Sequence, residues 1–450
     1  MSQLSNQSTV NLFKKVYGDL HNLLPQDFPL AREISFSEGY KVGDSFVEAF
    51  CLTNETGWTL IGESQDAAMI NPAIAGIVKQ SSVRPSQVVM RSVLPFGFIS
   101  RSAGGGEKSF YDGTKHIMQN HIRSHGRLLE ALRLYGRADA LLGYVSFAPA
   151  GTVYRGSTYS GAGDVVLTKS DGTTITFVDG VSAANKAILF APGSFASGLW
   201  VGLEGAIVKE VDSTNAVVAS GKLVSVNSDL GYITVDFVPV VATTTTSHRI
   251  CYDGMELQKD MVGINKILTN TGTLFDISAA LYSLWRANTL NLGGKRFNLK
   301  ALQTGVALAV NAGGLEKPLL VLVNPRTFAN LTTDEAAQRK YDVSYKPASA
   351  NNGFEAIEYY AANGVNTIMP HRMVKEGEAY GLCKDDWIRS GSAEISFKVP
   401  GLDKEVIFPA ENQTAWIVNS YSDQYILCRA PAKQILWQGI NDESVAYAGA

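Results

Sequence analysis

The sequence lacks the features that would direct a chain to a membrane or to an oxidising compartment. No apolar run reaches the ~18 residues that cross a bilayer, and the first residues, MSQLSNQSTVNLFKK, lack the charged and then apolar layout of a signal peptide. The four cysteines, Cys51, Cys251, Cys383 and Cys428, lie far apart without a CxxC or other metal-binding spacing. We therefore expect no membrane association, reduced thiols and synthesis in a cytoplasm.

Charge is also scarce and balanced. Charged residues make up 18% of the 450, and the formal net charge is −3, which excludes a strongly basic nucleic-acid-binding protein. Hydrophobic residues at 45% and aromatic residues at 10% can form a large core, which excludes wholesale disorder. A chain of this length predicts about two to four folding units.

Motifs for phosphate and metal binding are incomplete. In SAGGGEKS (102–109), Glu107 separates the glycines from the lysine, so we interpret the segment as a turn between a strand and a helix. His121 and His125 are one helical turn apart, but zinc needs three or four ligands and no HExxH is present. These two residues and His116 are therefore interpreted as a solvated or interface face. The remaining histidines are isolated and are interpreted as surface or hydrogen-bonded core residues: His21, His248 and His371.

No catalytic constellation is evident either. The sequence contains no GxSxG motif. Cys383 lies beside Asp385 and Asp386, whose carboxylates raise rather than lower a thiol pKa, and we interpret it as a core cysteine. The two aspartates are interpreted as solvated. The residues thus predict a protein that is not an enzyme and binds no cofactor or metal.

The amino-terminal third is predicted to be extended. Residues 1–38 are interpreted as an arm with a short helix near 9–24, and 41–53 and 83–101 alternate apolar and polar residues as strands do. We expect these two stretches to pair as a ribbon that lies on another surface. A long helix is predicted from Glu107 to Tyr135, with Arg and His on its polar face and a length of about 40 Å.

The remainder is predicted to be mixed. Residues 151–254, rich in glycine and short β-branched runs, predict an independent all-β module. Two helices are predicted next: one capped by Asp276 with Ile277, Leu281, Leu284 and Trp285 on its inner face, and one with Leu299, Leu302, Val306 and Val310 on its inner face. A buried strand is predicted at 318–325, followed by a helix that runs from a Thr332–Glu335 capping box to Lys340. Strands are predicted near 355–361, 365–369 and 378–383, and the tail at 393–440 is predicted to be rich in strands. The predicted fold class is α+β.

The order of these parts resembles a known family. An arm, a long hairpin, a glycine-rich stop, a long helix and a mixed region resemble the major capsid proteins of tailed bacteriophages, with the Hong Kong-97-like fold. The local sequences LLVLVNPRTFANLTTDEAAQRKYD and GVNTIMPHRMVKEGEAYGLCKDDWIRSGSAEI are similar to that family's axial domain. The resemblance covers about residues 10–150 and 255–440, and 151–254 is similar to the insertion domains that family members carry.

The resemblance implies a division of the chain and a set of subunit contacts. The implied parts are an N-terminal arm (1–38), an extended loop or β-hairpin (39–104), a peripheral domain with a spine helix (105–150), a β-rich insertion domain (151–254), an axial domain (255–399) and a return to the peripheral domain (400–450). Some family members crosslink through a loop lysine, but no matching motif surrounds Lys41 or Lys79. Inter-subunit contacts are expected at Phe46, Phe50, Trp58, Arg91, Phe96, Phe98, Arg101, His121 and His125.

The resemblance also implies a function and partners. The chain would self-assemble into hexamers and pentamers of an icosahedral head shell that encloses double-stranded DNA without sequence-specific binding. Implied partners are a portal protein, a decoration protein on the insertion, and a scaffolding protein. The scaffolding protein would be a separate chain, because little sequence precedes the ribbon. Assembly would occur in the host bacterial cytoplasm, and the product would be part of the virion.

Two other functions stay open at this point. An encapsulin-type nanocompartment shell has the same fold, although the length and the enlarged insertion argue against it. A carbohydrate-active or proteolytic enzyme with an accessory β-module would need two carboxylates converging in a cleft.

Overall fold

A computed structural model describes most of the chain. The described residues are 28–37, 45–63, 69–96, 113–139, 141–145, 153–154, 157–159, 165–168, 174–177, 186–191, 193–228, 231–237, 248–332, 357–397, 407–409 and 414–441. For 113–118, for the four strands between 153 and 177, and for 186–187, 189, 357 and 407–408, only the backbone is described.

Helices and strands alternate along the chain, so the mixed class is confirmed. The helices are α1 (Pro29–Glu33), α2 (Gly113–Tyr135), α3 (Ser197–Trp200), α4 (Ile264–Thr269), α5 (Leu299–Gly313) and α6 (Pro325–Thr332). The strands are β1 (Phe36–Ser37), β2 (Phe46–Cys51), β3 (Val78–Val83), β4 (Ser86–Pro95), β5 (Gly143–Tyr144), β6 (Val153–Tyr154), β7 (Ser157–Tyr159), β8 (Val165–Thr168), β9 (Thr174–Phe177), β10 (Lys186–Leu189), β11 (Ile207–Val211), β12 (Val217–Asn227), β13 (Tyr232–Val235), β14 (Arg249–Tyr252), β15 (Thr273–Leu274), β16 (Ile277–Ser278), β17 (Asn288–Lys295), β18 (Leu320–Val323), β19 (Ile357–Ala361), β20 (Gly364–Pro370), β21 (Glu378–Leu382), β22 (Trp387–Ser396), β23 (Ile407–Pro409), β24 (Ala415–Cys428) and β25 (Ile435–Ile440).

The strands form four larger sheets and two short hairpins. Sheet A consists of β1, β22 and β24 in that order, with β4 and β23 also paired to β24. Sheet B has the order β17-β25-β21-β18-β20-β19, and sheet C has the order β10-β13-β12-β11-β14-β5. Sheet D is a meander of β6 to β9, and the hairpins are β2-β3 and β15-β16.

The predicted partner of the first alternating stretch is wrong. β2 pairs with β3, in the register Phe46↔Val83, whereas β4 pairs along its whole length with β24. Arg84-Pro85 separates β3 from β4, and because proline lacks an N–H and restricts the residue before it, the strand cannot continue through this point. The predicted alternation is confirmed, since Phe46 and Leu52 are buried while Val47 is exposed.

Helix α2 is confirmed, but its buried face differs from the prediction. Its second half contributes Leu129, Leu132 and Tyr135 to the core, as expected. Its predicted polar face is also buried, because His121 and His125 are at most 2% exposed. At about 1.5 Å per residue, the 23 residues span about 34 Å.

The predicted independence of the 151–254 module is wrong for the part that forms sheet C. Phe190, Trp200 and Val208 belong to one hydrophobic cluster with Leu132 of α2 and Met261. A module that folded alone would have a core of its own. Sheet D differs, because among the described residues its four strands pair only with one another.

Sheet B and α5 agree with the predictions. Asn298 caps α5 by accepting a hydrogen bond from Ala301 N at 2.9 Å, and Val306 faces the core. β18 is buried at all four positions between β20 and β21, which explains its continuous apolar run. Gly305 lets α5 approach Trp437, since an added Cβ would lie 2.5 Å from the indole. The strands predicted near 355–361, 365–369 and 378–383 are confirmed as β19, β20 and β21.

One predicted helix is wrong, and so is the predicted start of another. Phe275 and Asp276 both have positive φ and form the turn of the β15-β16 hairpin, where Asp276 cannot cap a helix. The expected inner-face residue Leu281 is 77% exposed. Thr332 already lies within α6 and donates its hydroxyl to Ala329 O at 2.6 Å, so it is not the N-cap of a new helix.

Several predictions concern residues outside the described part of the chain. These are the helix near 9–24, the turn at 102–109, and the helix from Glu335 to Lys340. Among the described helices, none is long and apolar enough to cross a bilayer.

Deleting 152–253 is expected to abolish soluble folding. The deletion removes Phe190 and Trp200 from the cluster that also buries Leu132, and each large apolar side chain contributes roughly 1.5–3 kcal/mol when buried. Solubility and near-UV circular dichroism of the purified protein measure this. The matched control deletes only 153–177, the strands of sheet D, and is expected to keep the near-UV signal. A soluble, cooperatively folded 152–253 deletion would contradict the shared core.

Candidate interaction surface

Among the residues that the structure describes, the most exposed apolar surface lies at the end of the β2-β3 hairpin. Six large side chains there face solvent, and together they define the apolar tip: Trp58 (78% exposed), Leu60 (95%), Ile61 (59%), Met69 (94%), Ile70 (79%) and Ile74 (60%). Single exposed apolar residues are common, but six within seventeen residues form a patch of the kind that marks an interaction site.

The backbone of the tip is held by specific hydrogen bonds. Asn71 donates its side-chain Nδ2–H to Trp58 O at 2.8 Å, and its backbone N–H donates to Thr59 Oγ1 at 2.8 Å. Thr56 and Ile74 form an isolated antiparallel bridge. Gly57 adopts φ +130°, and a Cβ there would lie 2.8 Å from Pro72 O. The apolar side chains are therefore presented on a defined loop.

The base of the hairpin packs on the same chain. Phe46 stacks on Tyr425 at 5.4 Å between ring centroids, and Phe50 meets Trp285 at 4.9 Å. Glu48 and Arg429 form an ion pair at 2.8 Å. The hairpin is thus fixed at its base while its tip remains uncovered.

Helix α2 contacts sheet A through a chain of hydroxyls and imidazoles, which we call the relay. Ser92 Oγ lies 2.5 Å from His121 Nδ1, and His121 Nε2 lies 2.6 Å from Ser420 Oγ. Ser420 Oγ also lies 2.5 Å from His125 Nδ1, and His125 Nε2 lies 3.0 Å from Ser422 Oγ. The relay satisfies all four imidazole nitrogens in the buried space between helix and sheet.

A buried carboxylate continues this polar contact toward the end of α2. Glu130, fully buried, accepts hydrogen bonds from Leu30 N at 2.7 Å, Arg133 Nη1 at 3.0 Å and His371 Nε2 at 3.2 Å. Burial by itself would raise the pKa of Glu130, but the hydrogen bond from His371 and the charge of Arg133 outweigh it and lower that pKa. Arg133 also donates to Gln424 Oε1 at 3.1 Å. One carboxylate therefore joins α1, α2 and the loop after β20.

The nine residues predicted for subunit contacts occupy different environments. Trp58, Arg91 and Phe96 are exposed, and Trp58 lies in the apolar tip. Phe46 and Phe50 pack on the hairpin base, while His121 and His125 are in the relay, not on the solvated or interface face expected from the helical pattern. Phe98 and Arg101 lie outside the described residues. Contact with a neighbouring copy stays a prediction for this set.

Other members of the apolar tip were missed by sequence reasoning. Leu60, Met69 and Ile70 follow no strand alternation, since they lie in the loop between the strands. Their density beside Asn71-Pro72 was the available signal, because a turn rich in large apolar residues has no local way to bury them.

The structure agrees with the predicted burial of Cys383 and exposure of Asp385. Cys383 is buried, and burial together with Asp386 raises its pKa to about 11, so it is a core thiol. Asp385 is exposed and pairs with Lys317 at 2.8 Å. In the part of the chain that the structure describes, no three His, Cys, Asp or Glu side chains are grouped to hold a metal ion.

Comparison with known proteins gives similarity at the level of solved structures. No protein-family model and no curated protein matches the chain. The chain is similar to the capsid of a native GTA particle (8% identity, 98% of this chain and 99% of that chain, TM-score 0.47), to the capsid of cyanophage A-1(L) (11%, 97% and 99%, 0.48) and to the capsid of Myoviridae phage XM1 (6%, 98% and 99%, 0.45). The similarity extends over nearly the whole length of each chain.

Replacing Glu130 is expected to destabilise the fold strongly. Glu130→Ala leaves Arg133 and His371 buried without their carboxylate, a loss that typically costs about 3–5 kcal/mol. Urea unfolding at pH 7 measures the free energy of unfolding. The control Glu55→Ala, on the exposed hairpin, should change it by less than about 0.5 kcal/mol. Equal stability of the two variants would show that Glu130 is not a structural anchor.

Proposed function

We propose that the chain is a non-catalytic shell subunit, the major capsid protein of a tailed phage, and that neighbouring copies cover its apolar tip. The observation that carries this proposal is the exposed, structurally fixed tip. A monomer gains nothing from holding Leu60 and Met69 in water at more than 90% exposure. A subunit whose neighbours cover these side chains gains their burial on assembly.

The magnitudes suit assembly from many copies. Each large apolar side chain contributes roughly 1.5–3 kcal/mol on full burial, so six of them can offset the entropic cost of association. Within a closed shell every copy both offers a tip and covers one, and repeated modest contacts give high overall stability.

The strand order supports the proposed domains except at two strands, since β22 of 255–399 lies in sheet A and β25 of 400–450 lies in sheet B. Segment 400–450 would return to the peripheral domain, and β24 pairs along its length with β4 beside α2, the proposed spine helix. Segment 151–254 would be an insertion whose two ends lie close together. Strand β5, which precedes the segment, pairs with β14 at the end of the segment through Gly143↔Ile250. Segment 255–399 would be the axial domain, to which most of sheet B belongs. The arm would be 1–38 and the extended loop 39–104.

The proposal extends to partners. Copies would form hexamers and pentamers around double-stranded DNA, with a scaffolding protein and a portal protein during assembly, and a decoration protein could bind the insertion. The net charge of −3 suits a container that does not grip its DNA. Assembly would occur in the host bacterial cytoplasm and end in the virion. Particle contents distinguish this function from a nanocompartment shell, which would hold a cargo enzyme.

Polar substitution of the tip is expected to block assembly without unfolding the chain. We would compare wild type with a Leu60→Ser, Met69→Ser, Ile70→Ser triple variant by sedimentation and electron microscopy, with a scaffold supplied. Wild type should form capsomers or shells, while the variant should stay monomeric, since the burial that drives association is lost.

The matched control changes three exposed leucines elsewhere, Leu257→Ser, Leu281→Ser and Leu308→Ser. It should assemble as wild type does, and all three proteins should share one melting temperature within a few degrees. A wild-type chain that stays monomeric at high concentration, or a triple variant that assembles normally, would overturn the proposal.

A further inference from the structure

The relay has a property that follows from counting its hydrogen atoms. Ser420 has one hydroxyl hydrogen and two imidazole nitrogens, of His121 and His125, within 2.6 Å. With both rings neutral, the four hydrogen bonds run in one direction, from Ser92 through His121, Ser420 and His125 to Ser422, or all in reverse. Either direction leaves no nitrogen unsatisfied.

By hydrogen-bond count alone, one added proton keeps all four contacts, so only burial and the nearby charges oppose it. A His125 cation donates to both Ser422 and Ser420, Ser420 then donates to His121 Nε2, and His121 Nδ1 donates to Ser92, so all four contacts survive. A second proton is strongly disfavoured. His121 and His125 would then both donate to Ser420, whose own hydrogen would have no imidazole acceptor, and two like charges would share one hydroxyl.

The surroundings also oppose protonation. Burial, with the nearby His121 and Arg133, lowers the pKa of His125 to about 4, and burial lowers the pKa of His121 despite a hydrogen bond to the backbone of Met90. Two buried carboxylates on these elements have partners other than the relay histidines: Glu130 binds Arg133, and Asp423 accepts from Ser392 at 2.5 Å through Oδ2 while its Oδ1 has no hydrogen-bond partner among the described residues.

Charged and titratable groups lie on α2 and on the elements packed against it. Besides His121 and His125, the described part of α2 carries Lys115, His116, Arg123, Arg127, Glu130, Arg133 and Tyr135. The described elements that contact α2 carry Arg91 on β4, Arg389 and Glu394 on β22, Tyr421, Asp423, Tyr425 and Cys428 on β24, Arg32 and Glu33 on α1, and Lys266 on α4.

We propose that the relay is an acid-operated latch, in which uptake of two protons by His121 and His125 releases α2 from β4 and β24 before the rest of the chain unfolds. In the released state both rings meet water and regain an ordinary pKa near 6.5. The released state therefore binds more protons than the latched state below that pH, so release is favoured as the pH falls and is disfavoured above it.

The latch is tested by measuring hydrogen-exchange rates of the backbone amides of β4 and β24 at pH 6 and at pH 5. The rates are corrected for the intrinsic pH dependence of amide exchange. Two protons taken up with ordinary pKa values raise the opening constant by roughly 60-fold over this unit of pH, and one proton raises it by roughly 8-fold. Wild type should show the larger change. His125→Gln and His121→Gln, which keep a donor and an acceptor, should each show the smaller one, so either variant suffices if the other does not fold.

The matched control is His248→Gln, which alters another buried histidine, paired with Glu210 at 2.6 Å in sheet C, and should keep the larger change. Amides of β18 in sheet B should not follow the same pH dependence. The latch is wrong if β4 and β24 show no pH-dependent opening, if the relay variants behave as wild type does, or if β18 opens in parallel, which would mean that the histidines act only in global unfolding.

Discussion

The arrangement of the molecule depends on how α2 is held against sheet A. Beside the apolar residues that both elements contribute to one core cluster, this contact uses a buried series of polar groups, from Ser92 through the relay to Glu130 and Arg133. Buried polar groups stabilise a structure only when every partner is present, which makes such a contact specific as well as stable. Glu130 then positions α1 through Leu30 N, and the loop after β20 through His371. Because α2 also lends Leu132 to the core of sheet C, three regions share one anchor.

The chain buries several polar side chains while it exposes several large apolar ones. Histidine, arginine and glutamate are buried beneath α2, while Trp58, Leu60 and Met69 face water at the hairpin tip. The buried polar groups have partners and fix the body, whereas the exposed apolar tip is unfavourable for a molecule that acts alone. The proposed function accounts for the tip, because a neighbouring copy would cover it.

Sequence reasoning was most successful where burial follows a local period. The alternation around Phe46, the helical spacing of Leu302 and Val306, and the apolar run of β18 each identify an element whose neighbours lie on one face or on both. Sequence reasoning failed where turn geometry decides the secondary structure or where a distant residue decides the strand pairing. Positive φ at Phe275 and Asp276 turns a helical pattern into a hairpin, and Arg84-Pro85 redirects β4 to a partner more than 300 residues away.

The sequence alone determined the α+β class, the long helix α2, the core character of Cys383 and the lack of a catalytic motif, since each depends on residue type and near neighbours. Only the tertiary structure decided that His121 and His125 are buried, because their partners Ser420 and Ser422 are about 300 residues away along the chain. It likewise decided that sheet C shares its core with α2, because burial is a property of the side chains that meet in space and no local pattern encodes which surfaces meet.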